Sequence, residues 1–303
     1  LIFKFIKYIK ATSKLIISHD QVYVHGLFDK KLIILLYLKP SLNKKVNWIL
    51  WGGGDLELTK SFTFSILNKI ECIVKSRFKS FITYVDEDYI DVITHYNASG
   101  PLKNCLLYSS NVYNNNESVN ISIDENNTKE HFNVLVGHSA DHEGDHINML
   151  NMLHKKKLTK NISVYCILSY GEKPWTPGYK DLVIKTGKEL YGDYFHPIVN
   201  FMSKKDYLEF LYKIDIMIFN HKYQQGMGNI IQALGMNKIV FLNSEANHYK
   251  MFKRLNINVF SINEFELFLT NPNFKTGNNQ IISSVFSESK LLEGWKNIFN
   301  KDD

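Results

Sequence analysis

Short apolar runs that stop at a glycine or a small polar turn, then give way to helical patterning, recur along nearly the whole chain. Strands separated by helices cannot pair through tight hairpins, so this rhythm predicts βαβ units and parallel sheets, an α/β fold. In the first half, residues 22–24 form an apolar run ending at His25-Gly26, and 48–51 one ending at Gly52-Gly53-Gly54. Helical spacing covers 28–38 and 62–78. Strands are expected at 81–84 and 106–108, with a helix near 89–95.

Residues 111–130 break the rhythm: they are rich in Asn and Ser and carry little periodicity, as a linker does. Strands are then expected at 132–136, 162–168, 196–199, 216–219 and 238–242. The helices between them run to about 156, over 179–191, after Ser203, to 236, and after 247. Ser203 and Asp206 have the spacing of a capping box with Asp in place of Glu. The expected organisation is a domain over 1–112, a linker over 113–131, a second domain over 132–285 and a terminal helix over 286–303. The chain opens at Leu1 directly in a helical pattern, and its first domain is expected to be truncated, without its first strand.

Composition narrows the class. At 45% hydrophobic and 22% charged, the chain can bury sizeable cores and is not a disordered protein. No apolar run approaches the roughly 20 residues that span a bilayer, and no cleavable leader is visible. Cys72, Cys105 and Cys166 lie far apart, as buried thiols of a reducing cytoplasm do. Residues 1–85 hold fourteen Lys/Arg against five Asp/Glu, a net of +9, although the whole chain is only +6. This asymmetry suits a face that meets something anionic, with lipid headgroups and nucleic acid both candidates, and equally a solvated lysine-rich surface.

Ligands of open α/β sheets bind at the carboxyl ends of strands, so the turns there carry the candidates. Gly137-His138-Ser139-Ala140-Asp141 follows a strand and precedes a helix, where glycine admits a phosphate to backbone N–H groups. Gln224-Gln225-Gly226-Met227-Gly228-Asn229 leads into another helix. Its amides suit sugar hydroxyls and phosphate oxygens, and its glycines permit close approach. In Asn243-Ser244-Glu245-Ala246-Asn247 a carboxylate could accept from a ribose or sugar hydroxyl. In the first half, His25 and Asp55 stand at strand ends where a general base could face a phosphate site.

Two literal matches point elsewhere. His142-Glu143-Gly144-Asp145-His146 fits a zinc-protease pattern, but it follows a strand and a turn and is expected to be a helix's first turn rather than mid-helix. Asp86-Glu87-Asp88 has the spacing of a divalent-metal D-x-D, but is expected to be an acidic helix start before Tyr89.

Taken in order, these pieces resemble the Fuc4NAc (4-acetamido-4,6-dideoxygalactose) transferases of glycosyltransferase family 56. The resemblance runs through His25-Gly26-x-Phe28, Trp48-x-x-Trp51-Gly52, Asp55-Leu56, Val136-Gly137-x-Ser139-x-Asp141 and His146-Ile147. It continues through Gln224-Gln225-Gly226-x-Gly228, Leu234, Asn243-x-Glu245-x-Asn247 and Leu292-x-Gly294-Trp295. It implies a GT-B architecture of two Rossmann-like domains facing across a cleft. It further implies a dTDP-sugar donor held mainly by the second domain, and a polyprenyl-diphosphate-linked acceptor met by the first at the inner leaflet. Neither a nucleic-acid partner nor a cofactor belongs to this scheme. The donor would lie against Gly137, His138, Ser139, Asp141, Gln224, Gln225, Gly226, Gly228, Asn229, Glu245 and Asn247, with His25 or Asp55 as base and no metal. The alternatives are a metal-dependent transferase using Asp86 and Asp88, and a non-catalytic nucleotide-sugar-binding protein of a polysaccharide operon. The three glycines before Asp55 depart from the family's spacing.

Overall fold

Within the computed structural model, residues 2–53, 56, 65–114, 131–155, 162–266 and 276–300 are described. The chain divides into two units. The first comprises Leu1–Tyr108 and Ser289–Asp303, the second Ser109–Glu288.

The first unit opens with α1 (Ile2–Ile17) and alternates β1 (Val22–His25), α2 (Lys30–Leu38), β2 (Val46–Ile49), α3 (Ser65–Lys75), β3 (Ser80–Thr83), α4 (Asp86–Tyr96) and β4 (Leu102–Asn104). The four strands pair in chain order, all parallel. The start and end of α2 have local causes. Asp29 caps α2 by accepting from the Lys31 N–H at 2.9 Å, and Pro40 follows its end. Every residue of β2 and β3 is buried, as both-face coverage of a parallel sheet requires. Trp48 sits at the centre, with Phe78 and Phe81 rings at 5.7 and 6.0 Å. Lys75 is fully buried beneath it. Its ammonium meets Glu71 at 2.9 Å and the Tyr96 hydroxyl at 3.2 Å, and lies 5.1 Å from the Trp48 ring centre.

The strand expected at 106–108 lies earlier, at β4, where Leu102 pairs with Phe81. The later apolar run is buried for another reason. The last helix of the chain, Glu288–Phe299, belongs to this unit; its Gly294 abuts Cys105, and the Trp295 indole N–H donates to the Leu107 carbonyl at 3.2 Å. A covered loop and a central strand leave the same apolar signature.

The second unit contains β5 (Phe132–Val136), α5 (His146–Lys155), β6 (Ile162–Ile167), α6 (Tyr179–Tyr191), β7 (Phe195–Ile198), α7 (Lys204–Lys213), β8 (Ile216–Phe219), α8 (Met227–Gly235), β9 (Ile239–Leu242), α9 (Asn247–Arg254), β10 (Phe260–Ser261) and α10 (Asn279–Val285). The helix over Glu288–Phe299 is then α11. The sheet order is β10-β9-β8-β5-β6-β7, all parallel. The chain winds outward from β5 through β6 and β7, then crosses back to lay β8 on the other side of β5. Ser203 caps α7, accepting from the Asp206 N–H at 3.2 Å. Tyr113, at the start of the stretch read as linker, is buried in this unit, its hydroxyl donating to the Gly235 carbonyl at 2.9 Å. The remainder of that stretch, 115–130, lies outside the described residues.

The segment matching the zinc-protease pattern is not a helix's first turn. His142–Gly144 is a 3-10 turn, Asp145 reverses the backbone at φ +55°, and α5 starts afresh at His146. The left-handed Asp145 breaks the helical spacing, so His142 and His146 do not share a helix face.

Candidate functional site

β5 and β8 are hydrogen-bonded neighbours from which the chain departs in opposite directions, so the turns that follow them diverge and leave a crevice at the sheet's carboxyl end. Both turns are glycine turns for a steric reason. Gly137 has φ +69°, and a Cβ there would lie 2.2 Å from the His146 Nε2. Gly226 has φ +62° and is the N-cap of α8; a Cβ there would lie 2.9 Å from the His138 Nδ1. At Gly228 a Cβ would meet the Ser110 carbonyl at 2.5 Å. The first-turn N–H groups of α8 have no carbonyl of their own helix to bond, and the helix dipole favours an anion there.

Side chains clasp the two turns together. The Gln225 Nε2 donates to the Glu143 carboxylate at 2.6 Å, and the Asn220 Nδ2 to the Asp145 carboxylate at 2.7 Å. Asp141 is buried and spoken for: it accepts from the Glu143 N–H at 3.2 Å and faces Lys173 at 3.1 Å and His142 at 3.2 Å. The Ser139 hydroxyl, at 3.4 Å from the Asp141 N–H, packs under Gly171. Ser139 and Asp141 therefore shape the turn.

His138 differs. It is 9% exposed, its Nδ1 has no hydrogen-bond partner, and its ring stands 4.7 Å edge-on to that of His221, which follows β8. His146 and His248 are fully buried nearby, with the His146 Nε2 and both His248 ring nitrogens unpartnered. Burial pushes His138, His146 and His248 down to about 4 and His221 well below its ordinary value, so all four are neutral at pH 7.

His138 also lines a pocket of about 250 Å³ with Ile167, Ser169, Tyr170, Phe201, Met202, Lys204, Tyr207 and Asn229. Tyr170 bonds Asn229, and burial pushes both Tyr170 and Tyr207 hydroxyls up, so they remain protonated donors. An aromatic wall, a lysine at its rim and a helix N-terminus beside it suit a planar base joined to phosphates.

Of the sequence candidates, Gly137, His138, Gly226 and Asn229 come together at this crevice, with Gln225 as a clasp. Gln224 and Gly228 flank it. Glu245 is exposed on the next turn, its N–H donating to the Asn243 Oδ1 at 3.0 Å, and Asn247 begins α9. The clasp bonds between the β5 and β8 turns do not include Glu245. His221, Glu143, Tyr170 and Tyr207 were not anticipated. His221 had a signal, since it follows β8 as His138 follows β5.

In the first unit, His25 ends β1 exposed, its Nδ1 2.9 Å from the Tyr108 hydroxyl, which also accepts from the Trp51 indole N–H at 2.6 Å. Phe28 packs edge-on to Trp51 at 5.8 Å, and both are about half exposed. The carboxyl end of this sheet thus carries an aromatic, hydrogen-bonded surface centred on His25. Asp55 lies outside the described residues. Asp86 accepts from the Asn104 amide at 2.9 Å and Asp88 is buried, both in the first turn of α4. No group of three or more His, Cys, Asp or Glu able to hold a metal occurs among the described residues.

Residues 9–299 match the family of 4-alpha-L-fucosyltransferases, glycosyl transferase group 56. The chain belongs to glycosyltransferase group 56. A glycosyltransferase of this group is an enzyme of glycosyl transfer, and its two parallel sheets place it with the GT-B folds. The trehalose-phosphate synthase of Burkholderia xenovorans is similar at TM-score 0.67 and 7% identity, covering 96% of this chain and 75% of its own. The sucrose-phosphate synthase of Thermosynechococcus elongatus gives 0.67 and 10%, covering 98% and 77%. HepE of Anabaena, solved with UDP and glucose, gives 0.64 and 12%, covering 98% and 81%. At such identities these three speak for the fold alone. Among the described residues of this group 56 chain, no helix is long and apolar enough to cross a membrane.

Proposed function

We propose that this glycosyltransferase moves a deoxyamino sugar of the Fuc4NAc kind from a dTDP-sugar to a polyprenyl-diphosphate-linked saccharide at the cytoplasmic face of the inner membrane. The observation that carries the reading is the β5/β8 crevice, with its glycine-lined anion seat at α8 beside an aromatic pocket. In this reading thymine occupies the pocket between Tyr170, Phe201 and Tyr207, and Lys204 offsets phosphate charge. The diphosphate lies at Gly226, where the N–H groups of α8 stabilise the charge that builds as the sugar departs. Glu245 takes a hydroxyl of the donor.

On the acceptor side, the exposed rings of Phe28 and Trp51 offer faces against which a saccharide can stack, and His25 takes the proton of the attacking hydroxyl. Tyr108, bonded to both His25 and Trp51, holds that imidazole in place. On α1, Lys4, Lys7, Lys10 and Lys14 are exposed together with Phe3 and Ile6. A basic face carrying apolar side chains suits attachment to an anionic leaflet.

Calorimetric titration with dTDP-glucose tests the donor half. The wild-type protein is expected to bind it, and the double variant Gln225→Ala, Glu245→Ala to lose binding while its circular dichroism stays unchanged. Undiminished affinity in a folded double variant overturns the assignment. Turnover of a labelled dTDP-sugar onto a lipid-linked acceptor separates an enzyme on this pathway from a protein that only binds nucleotide-sugars.

A further inference from the structure

Beside the start of α8 stands a buried side chain whose hydrogen-bonding capacity is unspent. His138 is nine-tenths buried, its Nδ1 has no partner, and that nitrogen lies against Gly226, the residue that opens α8. A neutral imidazole whose Nδ1 bears no proton presents a lone pair to an incoming phosphate, which repels it. The same nitrogen carrying a proton donates to a phosphate oxygen. We propose that His138 takes up a proton when the diphosphate binds, so that donor binding by this protein is coupled to proton uptake. The inference rests on the donor-binding reading above and concerns the regulation of that same site.

The surroundings of His138 set the direction of the coupling. From its own turn it faces Asp141, whose charge is shared with Lys173 and His142. From α5 it faces His146, and from the β8 turn His221, which in turn faces His248. Tyr170 after β6, and Lys204 and Tyr207 on α7, share its pocket with Asn229 of α8. Glu143 is engaged with Gln225. Without ligand, a positive charge on His138 would sit desolvated against a helix N-terminus, with the single buried carboxylate Asp141 already paired. Burial accordingly holds it neutral down to about pH 4. A bound diphosphate adds negative charge beside this buried imidazole at the start of α8 and raises it toward, or above, its ordinary value near 6.5. The proton comes from solvent, goes to Nδ1, and no covalent bond changes. Between the unliganded and liganded pKa values the complex binds more protons than the separate partners. Affinity therefore rises as pH falls through that window, by up to about tenfold per pH unit for one proton.

The test is calorimetry with dTDP-glucose, whose diphosphate is a diester without the phosphomonoester ionisation near pH 6. Titrations at pH 5.5, 6.5 and 8.0, in buffers of different ionisation enthalpy, count protons directly. The expected result is proton uptake approaching one per ligand in the acidic titrations, with affinity highest at pH 5.5. His138→Gln, which keeps a polar group of similar reach, is expected to bind with an affinity that no longer changes with pH. Binding by the wild-type protein with no proton uptake and equal affinity at all three pH values overturns the coupling while leaving the donor reading intact. Uptake that persists in a folded His138→Gln variant overturns the assignment to His138. No binding of dTDP-glucose at any pH overturns the donor reading and the coupling with it. If the variant fails to fold, the wild-type proton count alone still decides whether the coupling exists.

Discussion

The two units bury their basic side chains in opposite ways. Under Trp48 in the first unit, the Lys75 ammonium is fully enclosed and fully engaged, with Glu71, the Tyr96 hydroxyl and two aromatic faces around it. In the second unit His138, His146, His221 and His248 are as deeply enclosed, yet each has a ring nitrogen with no partner. A charged group in a core is tolerable only when compensated, whereas an imidazole can shed its charge and stay. The lysine keeps its charge and ties α3 to α4 and β2, whereas the histidines beside the crevice stay neutral with ring nitrogens unpartnered.

The largest expected effect breaks the architectural half. Glu71→Ala leaves Lys75 buried without its carboxylate and should lower unfolding stability by about 3–5 kcal/mol. Urea denaturation followed through hydrogen exchange of β2 measures it; a loss below about 1 kcal/mol would mean that the pair is not structural.

Acidification should act on the other half. His138, His146 and His248 titrate near 6.5 in the unfolded chain and at about 4 in the folded one. The unfolded state therefore binds more protons between those values. Stability contributed by these histidines is present above pH 6.5, falls as pH drops toward 4, and levels off below. Hydrogen exchange of β5 and β8 at pH 7.0 and 4.5 is the measurement, and equal protection at both would count against neutral burial.

Gly226→Ala places a methyl against the His138 ring in a left-handed conformation. It should cost about 1–3 kcal/mol of stability and remove dTDP-glucose binding in calorimetry. Retained binding would show that the anion seat lies elsewhere. The smallest effect belongs to Tyr207→Phe. The Tyr207 hydroxyl is buried without a partner, so its removal should change stability by less than about 1 kcal/mol. Donor affinity should nevertheless fall several-fold, and an unchanged affinity would exclude that hydroxyl from ligand contact.

Much of this arrangement was legible beforehand. The strand-helix rhythm located β5, β8 and α8 because fully buried parallel strands are short, continuous apolar runs, and Gly137 and Gly226 marked where those runs end. What was hidden depended on contacts distant in sequence. The apolar stretch after β4 read as a strand because nothing local records that α11 covers it. Asp145 in a left-handed turn turned an apparent helix start into two separate pieces. Gln225 read as a ligand group, yet its amide clasps Glu143, 82 residues away. His221 could be found from its place after β8, matching that of His138 after β5, but its packing against the His138 ring shows only in the fold.

The membership of α11 in the first unit has a consequence for how the protein is made. Translation delivers the four-stranded sheet before its last helix, with the whole of Ser109–Glu288 in between. The second unit is a continuous stretch that can complete itself while the ribosome is still at work. The first must wait with Cys105 and Leu107 uncovered until Gly294 and Trp295 emerge. The nascent chain thus completes its second unit before its first, and a premature stop within α11 would strike the half that was synthesised first.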